Sequence, residues 1–210
     1  MKIKHLLIST AIIMTMMASS CDGSKGSAAG GEKCDVDTTK IVMENILTRT
    51  SIRQFTDQKI DKDIIDNLLK AGMAAPSAVN AQPWAFVVVD DKAILDSLNE
   101  VKPWFNLKTA TAAIIVCGDM SKAMEGPGRE YWVQDCSAVT ENILLAAHAY
   151  GLGAVWCGVY PNQEIIPGVV KVLNLPENII PLNVITMGYP AENPEPKDKF
   201  KSENIHYNVW

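Results

Sequence analysis

Apolar residues recur at helical spacing in some stretches of the chain and run without interruption in others. Ile41, Val42, Ile46 and Leu47 mark a short helix over Ile41–Leu47. Asp61 is placed to cap a second helix with Ile64, Ile65, Leu68 and Leu69 on one face, and Gly72 marks its end. Pro76 forces the following residues into an extended or turning path. Ala85–Val89 is a compact apolar run of the kind a buried strand shows, Lys92–Val101 reads as a helix, and Thr111–Cys117 as a second strand. The longest element is Tyr131–Tyr150, apolar around much of its circumference, as befits a helix at the centre of a protein or at a subunit interface. Gly151 and Gly153 end it, Ala154–Tyr160 follows as a strand, Glu164–Leu173 as a short helix and Ile180–Met187 as a fourth strand. Beyond Tyr189 the chain is polar and proline-rich with no helical period. This alternation predicts one α/β domain without internal repeats.

The first residues follow a different logic. Lys2 and Lys4 precede an uncharged stretch from Leu6 to Ala18, long enough for the apolar part of an export signal and short for a bilayer span. Ala18-Ser19-Ser20-Cys21 then resembles a lipobox, in which Cys21 becomes the lipidated N-terminus; a plain signal peptide with an incidental cysteine is the alternative. The Gly/Ser-rich run after Cys21 is a flexible tether, which a lipid anchor needs. The expected organisation is a signal peptide over 1–20, a linker over 21–38 and a domain over 39–210. The expected location is a membrane-anchored lipoprotein facing the periplasm or the cell surface.

Composition changes this picture by exclusion. The 210 residues are 48% hydrophobic and 20% charged, ordinary globular values, and carry a net charge of −5. Phosphate backbones demand a positive field, so nucleic acid is excluded as a general partner. Cys34, Cys117, Cys136 and Cys157 show no disulfide spacing and no CxxC, so buried thiols are the better reading. His5, His148 and His206 are too scattered to build a metal site, and His148 reads as a packed residue of an apolar helix.

Three clusters carry candidate chemistry. Arg49-Thr50-Ser51-Ile52-Arg53 sets two guanidiniums around a hydroxyl pair, a donor set suited to phosphate, though a solvated charged turn has the same composition. Ala75-Pro76-Ser77-Ala78-Val79-Asn80-Ala81-Gln82-Pro83-Trp84 is a loop restrained by proline at both ends. Within it Asn80 and Gln82 each offer a donor and an acceptor, and Trp84 reads as a core plug. Gly188-Tyr189-Pro190 leads into Lys197 and Lys199, a second candidate phosphate contact or a solvated tail.

In this order, with the helix-ending Gly151-Leu152-Gly153, the clusters resemble the nitroreductase family of FMN-dependent oxidoreductases over about residues 45–200. The resemblance implies an α+β fold: a central, mainly antiparallel sheet flanked by helices, in an interlocked homodimer with FMN at the interface. It implies that Arg49, Thr50, Ser51 and Arg53 hold the phosphate and ribityl chain. Pro76, Ser77 and Asn80 would line the flavin's pyrimidine side, and Trp156, Cys157 and Gly158 the other side. Lys197 and Lys199 would reach back to the phosphate; an arginine is common where Lys199 stands. No side chain is assigned a catalytic role, since the cofactor carries the chemistry.

The implied reaction is ping-pong reduction of a nitroaromatic, quinone or similar small acceptor, with NAD(P)H as a candidate electron donor. Export complicates that donor, because NAD(P)H is a cytosolic currency. Two alternatives remain open: a non-catalytic binding lipoprotein on the same fold, and a flavin enzyme of that fold with another task, such as reductive dehalogenation. The tail Phe200–Trp210 has apolar side chains and no local core, which suits an arm lying on a second subunit.

Overall fold

The computed structural model describes residues 37–210. The expected export signal over 1–20, Cys21, most of the expected linker and Cys34 lie outside the described residues. The element order is α1 (Thr38–Thr48), α2 (Lys62–Met73), β1 (Trp84–Val89), α3 (Lys92–Val101), β2 (Ala112–Asp119), α4 (Tyr131–Ala149), β3 (Gly153–Gly158), α5 (Ile166–Leu173) and β4 (Ile179–Gly188). Every element expected from periodicity is present, with ends moved by a few residues.

The four strands form one sheet in the order β1-β2-β4-β3, and every pairing is antiparallel. This corrects the α/β reading and matches the α+β fold that the family resemblance implies. A helix between two neighbouring strands usually produces a parallel crossover. Here α3 is followed by the stretch Lys102–Thr111, which returns the chain to the end of the sheet where β1 stopped, so β2 runs back alongside β1.

Helices cover both faces of the sheet. Alternation along β2 sends Ile114 and Val116 toward α2 and α4, and Ala113, Ile115 and Cys117 toward α3 and α5. Ala85–Val89, read as a buried strand, is instead an edge strand with Val88 exposed, while Trp84 is the core plug expected of it. Gly72 stands one residue before the end of α2, near the expected stop. It also lies where α2 crosses α4, and a Cβ there would stand 2.8 Å from Cγ1 of Ile143. Close helix approach is therefore a second role of this glycine.

Helix caps follow local chemistry. Asp37 accepts from Lys40 N at 3.0 Å and Asp91 from Ala93 N at 2.8 Å, each serving an otherwise unpaired N–H of a first turn. Asp61 precedes α2 without a side-chain cap bond. Cys117, Cys136 and Cys157 are buried free thiols, as expected, and burial pushes the first two up to about 12.

Candidate flavin site at the edge of the sheet

The Arg49–Arg53 segment leaves α1 and runs along the outer edge of β3. Ser51 bridges Ala154, and Ile52 N donates to Ala154 O at 3.1 Å. The approach depends on a glycine: a Cβ on Gly153 would lie 2.6 Å from Ile52 Cγ2. The end of β4 holds the other side of the segment. Thr56 N donates to Tyr189 O at 2.8 Å, and Ala191 N to Gln54 O at 2.9 Å. Glu192 Oε1 accepts from both Arg53 N and Gln54 N. Gly188-Tyr189-Pro190, singled out in sequence for another reason, is therefore the splint of the arginine segment.

Arg49 is mostly buried, with Nε 3.8 Å from Glu141 of α4. Thr48 Oγ1 lies 3.0 Å from His148 Nε2, and burial together with Arg49 lowers the pKa of His148. The packing role expected of His148 is thus a link between α1 and α4. Arg53 is exposed, and its charge partly offsets the rise that burial gives the Cys157 thiol.

Strand alternation decides what β3 offers. Because Ala154 turns its backbone outward to Ile52, Trp156 and Gly158 also turn theirs outward, beyond the end of the arginine segment. Trp156 is 37% exposed, and open space surrounds the position of a Cβ on Gly158. Cys157 is turned away. Its backbone faces β4, and its Sγ lies 3.5 Å from the carbonyls of Trp104 and Phe105. The sequence expectation treated the three residues as one wall; only Trp156 and Gly158 face out.

Asn106 escaped the sequence reading. It follows the Pro103–Phe105 turn at φ 58°, with Nδ2 4.0 Å from Cys157 Sγ. The available signal was an asparagine after a proline-led turn, a residue that tolerates the left-handed region.

The second cluster lies elsewhere. Pro76–Gln82 enters β1, the opposite edge strand, at the opposite end of the sheet from Ser51. Strand spacings of about 4.8 Å across and 3.3 Å along put the two corners roughly 25 Å apart. Within one chain the structure joins Arg49–Arg53 to the neighbourhood of Trp156–Gly158 and does not join Pro76, Ser77 and Asn80 to them. Lys197 and Lys199 are exposed in the irregular tail and make no side-chain hydrogen bond or ion pair among the described residues.

The nitroreductase family model matches residues 46–105 and 100–189, the span that holds both corners of the sheet and the arginine segment. The chain belongs to the nitroreductase family. A Methanothermobacter thermautotrophicus protein named NADH dehydrogenase/NAD(P)H nitroreductase is 47% identical over 170 residues, covering 80% of this chain and 87% of that protein. A Parabacteroides distasonis protein of the same name superposes with a TM-score of 0.76 at 45% identity, covering 81% of this chain and 99% of that one. A Desulfovibrio desulfuricans nitroreductase solved in complex with FMN superposes with a TM-score of 0.68 at 30% identity, covering 80% and 97%.

Proposed function

We propose that this nitroreductase-type oxidoreductase binds FMN between two copies of the chain and reduces small nitroaromatic, quinone or similar acceptors by a ping-pong mechanism. The observation that carries the reading is the Arg49–Arg53 segment bridged to Ala154 at the edge of β3, the strand whose backbone turns outward again at Trp156 and Gly158. This donor set fits FMN. Guanidiniums and hydroxyls suit the phosphate, and unpaired edge amides suit the polar rim of a planar ring. Asn106, whose Nδ2 donates to Trp104 O and lies 4.0 Å from Cys157 Sγ, packs against the same strand. Lys197 and Lys199 follow Glu192, which holds the arginine segment, by only a few residues, and both are exposed toward solvent rather than paired within the described residues.

A second subunit supports the reading in two ways. It can bring its own Pro76, Ser77 and Asn80 to the arginine corner of the first, where the first chain's copies cannot reach. It can also cover the apolar side chains left in water: Ile41, Val42, Met43, Ile46 and Leu47 on α1, and Phe200, Ile205, Tyr207, Val209 and Trp210 on the tail are all exposed. Unpaired apolar surface of this extent marks an interaction site.

FMN, when bound, supplies the two-electron redox chemistry. The chain's own task is to clamp the phosphate, orient the ring and leave its face open to donor and acceptor in turn. NAD(P)H is the candidate donor. With Cys21 lipidated and the domain exported, a redox partner outside the cytoplasm would serve instead.

The deciding experiment reconstitutes the purified protein with FMN and follows NADH and NADPH oxidation with nitroaromatic and quinone acceptors. Parallel double-reciprocal lines and one FMN per chain are expected. Intersecting lines would remove the ping-pong mechanism, and a dimer without FMN affinity would remove the flavin site.

A further inference from the structure

The Pro76–Gln82 loop is strained in a way its own contacts do not explain. Val79, Asn80 and Gln82 have φ of 49°, 57° and 50°. For a β-branched residue such as Val79 the left-handed region is a genuine outlier. Packing does not compensate, because Val79 is 78% exposed. Backbone of this kind persists only where its surroundings over-determine it.

Two side-chain bonds lie inside the loop: Gln82 N donates to Ser77 Oγ at 3.0 Å, and Gln82 Nε2 to Asn80 Oδ1 at 3.2 Å. Both partners move with the loop and cannot fix it to the body. Among the described residues, one hydrogen bond joins Ser77–Gln82 to another element: Ala78 N donates to Oδ1 of Asp135 on α4 at 2.8 Å. Asp135 is only 6% exposed and falls on the core stripe of α4 between Trp132, Cys136 and Val139. It has no ion-pair partner among the described residues. A buried carboxyl oxygen needs a hydrogen-bond partner, and the Ala78 N–H supplies it. Asp135 also lines a cavity of about 330 Å³ shared with Pro76 and Ser77.

We infer that Asp135 is a positioning residue: its carboxylate pins Ala78 and holds the loop in the strained shape from which Asn80 meets FMN in the partner-completed site. This rests on the proposed composite site.

The test measures FMN affinity by fluorescence titration and the hydrogen exchange of the Ala78 amide in the flavin-free dimer. D135A should weaken FMN at least tenfold and speed Ala78 exchange, whereas D135N, which keeps an acceptor oxygen, should stay within threefold on both. Glycine adopts positive φ without strain, so V79G added to D135A should recover at least threefold of the lost affinity. A purely structural role would not give that rescue. Should D135A fail to fold, D135S, whose hydroxyl is too short to reach Ala78, takes its place. FMN affinity and Ala78 protection equal to the parent's in the loop-releasing variant would overturn the inference. Equal losses in the alanine and asparagine variants, or no rescue by glycine, would overturn it as well. Asn80→Ala separates the two layers. If it binds FMN as the parent does, the composite site fails and the flavin half of the inference with it, while Ala78 exchange still decides who holds the loop. If it loses FMN and D135A does not, only the role of Asp135 is lost.

Discussion

Arg49 and Arg53 carry the same charge in different surroundings, and the difference is testable. Arg49 is mostly buried and shared with Glu141, so its guanidinium is pre-positioned and already partly compensated. Arg53 is exposed, held through its backbone by Glu192 rather than through its side chain. A hydrogen bond to a charged group contributes about 1.5–3 kcal/mol, so either arginine changed to alanine should weaken FMN binding by about ten- to a hundredfold. Equilibrium titration of the flavin-free variants checks this, with far-UV circular dichroism to show the fold intact. A variant that keeps the parent's affinity would take that arginine out of the clamp.

At the scale of the element, the turn after β2 shows how one carboxylate organises a connection. Asp119 Oδ1 accepts from Ser121 N at 3.0 Å, Ser121 Oγ at 2.6 Å and Asn178 Nδ2 at 2.8 Å, with Lys122 Nζ 3.2 Å from Oδ2. These bonds, the Ser121 hydroxyl foremost, hold its pKa at about 2 against an ordinary 3.8. A folded-state pKa below the unfolded one means stability that is fully present above 3.8 and lost as pH falls through about 2. Asp119→Asn should therefore lower the urea midpoint at pH 7, and the gap between variant and parent should close as pH falls from 4 toward 2. A gap that stays constant across that range would mean that the carboxylate's charge is not what secures the turn.

For the whole molecule, two predictions concern what lies beyond a single folded chain. Trp210 is 98% exposed, and burying a large apolar side chain contributes about 1.5–3 kcal/mol. Truncation after Lys199 should then lower dimer stability and FMN retention together, as sedimentation and flavin absorbance would report. A truncated chain that remains a fully loaded dimer would show the arm to be dispensable. The anchor is tested separately: Cys21→Ala should release the protein from membranes or leave it unprocessed. Each buried methylene of a lipid chain contributes about 0.8 kcal/mol. A variant correctly processed elsewhere that still partitions with membranes as the parent does would dispose of the lipobox.

The elements themselves were legible because hydrophobic periodicity is a local property: α3 runs over Lys92–Val101 as its spacing predicts, and Trp84 is buried where the loop enters β1. The arginine segment and the Pro76–Trp84 loop were legible as chemistry, because donor types and prolines declare themselves by identity. Strand direction was not, since it depends on how Lys102–Thr111 folds back and which neighbour buries each face. Gly72 was legible only in part for the same reason: its place near the end of α2 shows in the sequence, but the helix crossing it admits shows only when Ile143 stands 2.8 Å from the missing Cβ. Asp135 lay on the apolar stripe of α4, but only the tertiary contact with Ala78 gave that carboxylate a purpose. The sequence determined which groups could hold a phosphate and a ring. The tertiary structure alone decided that they stand at opposite corners of one sheet, because the distance between two loops is set by the strands between them.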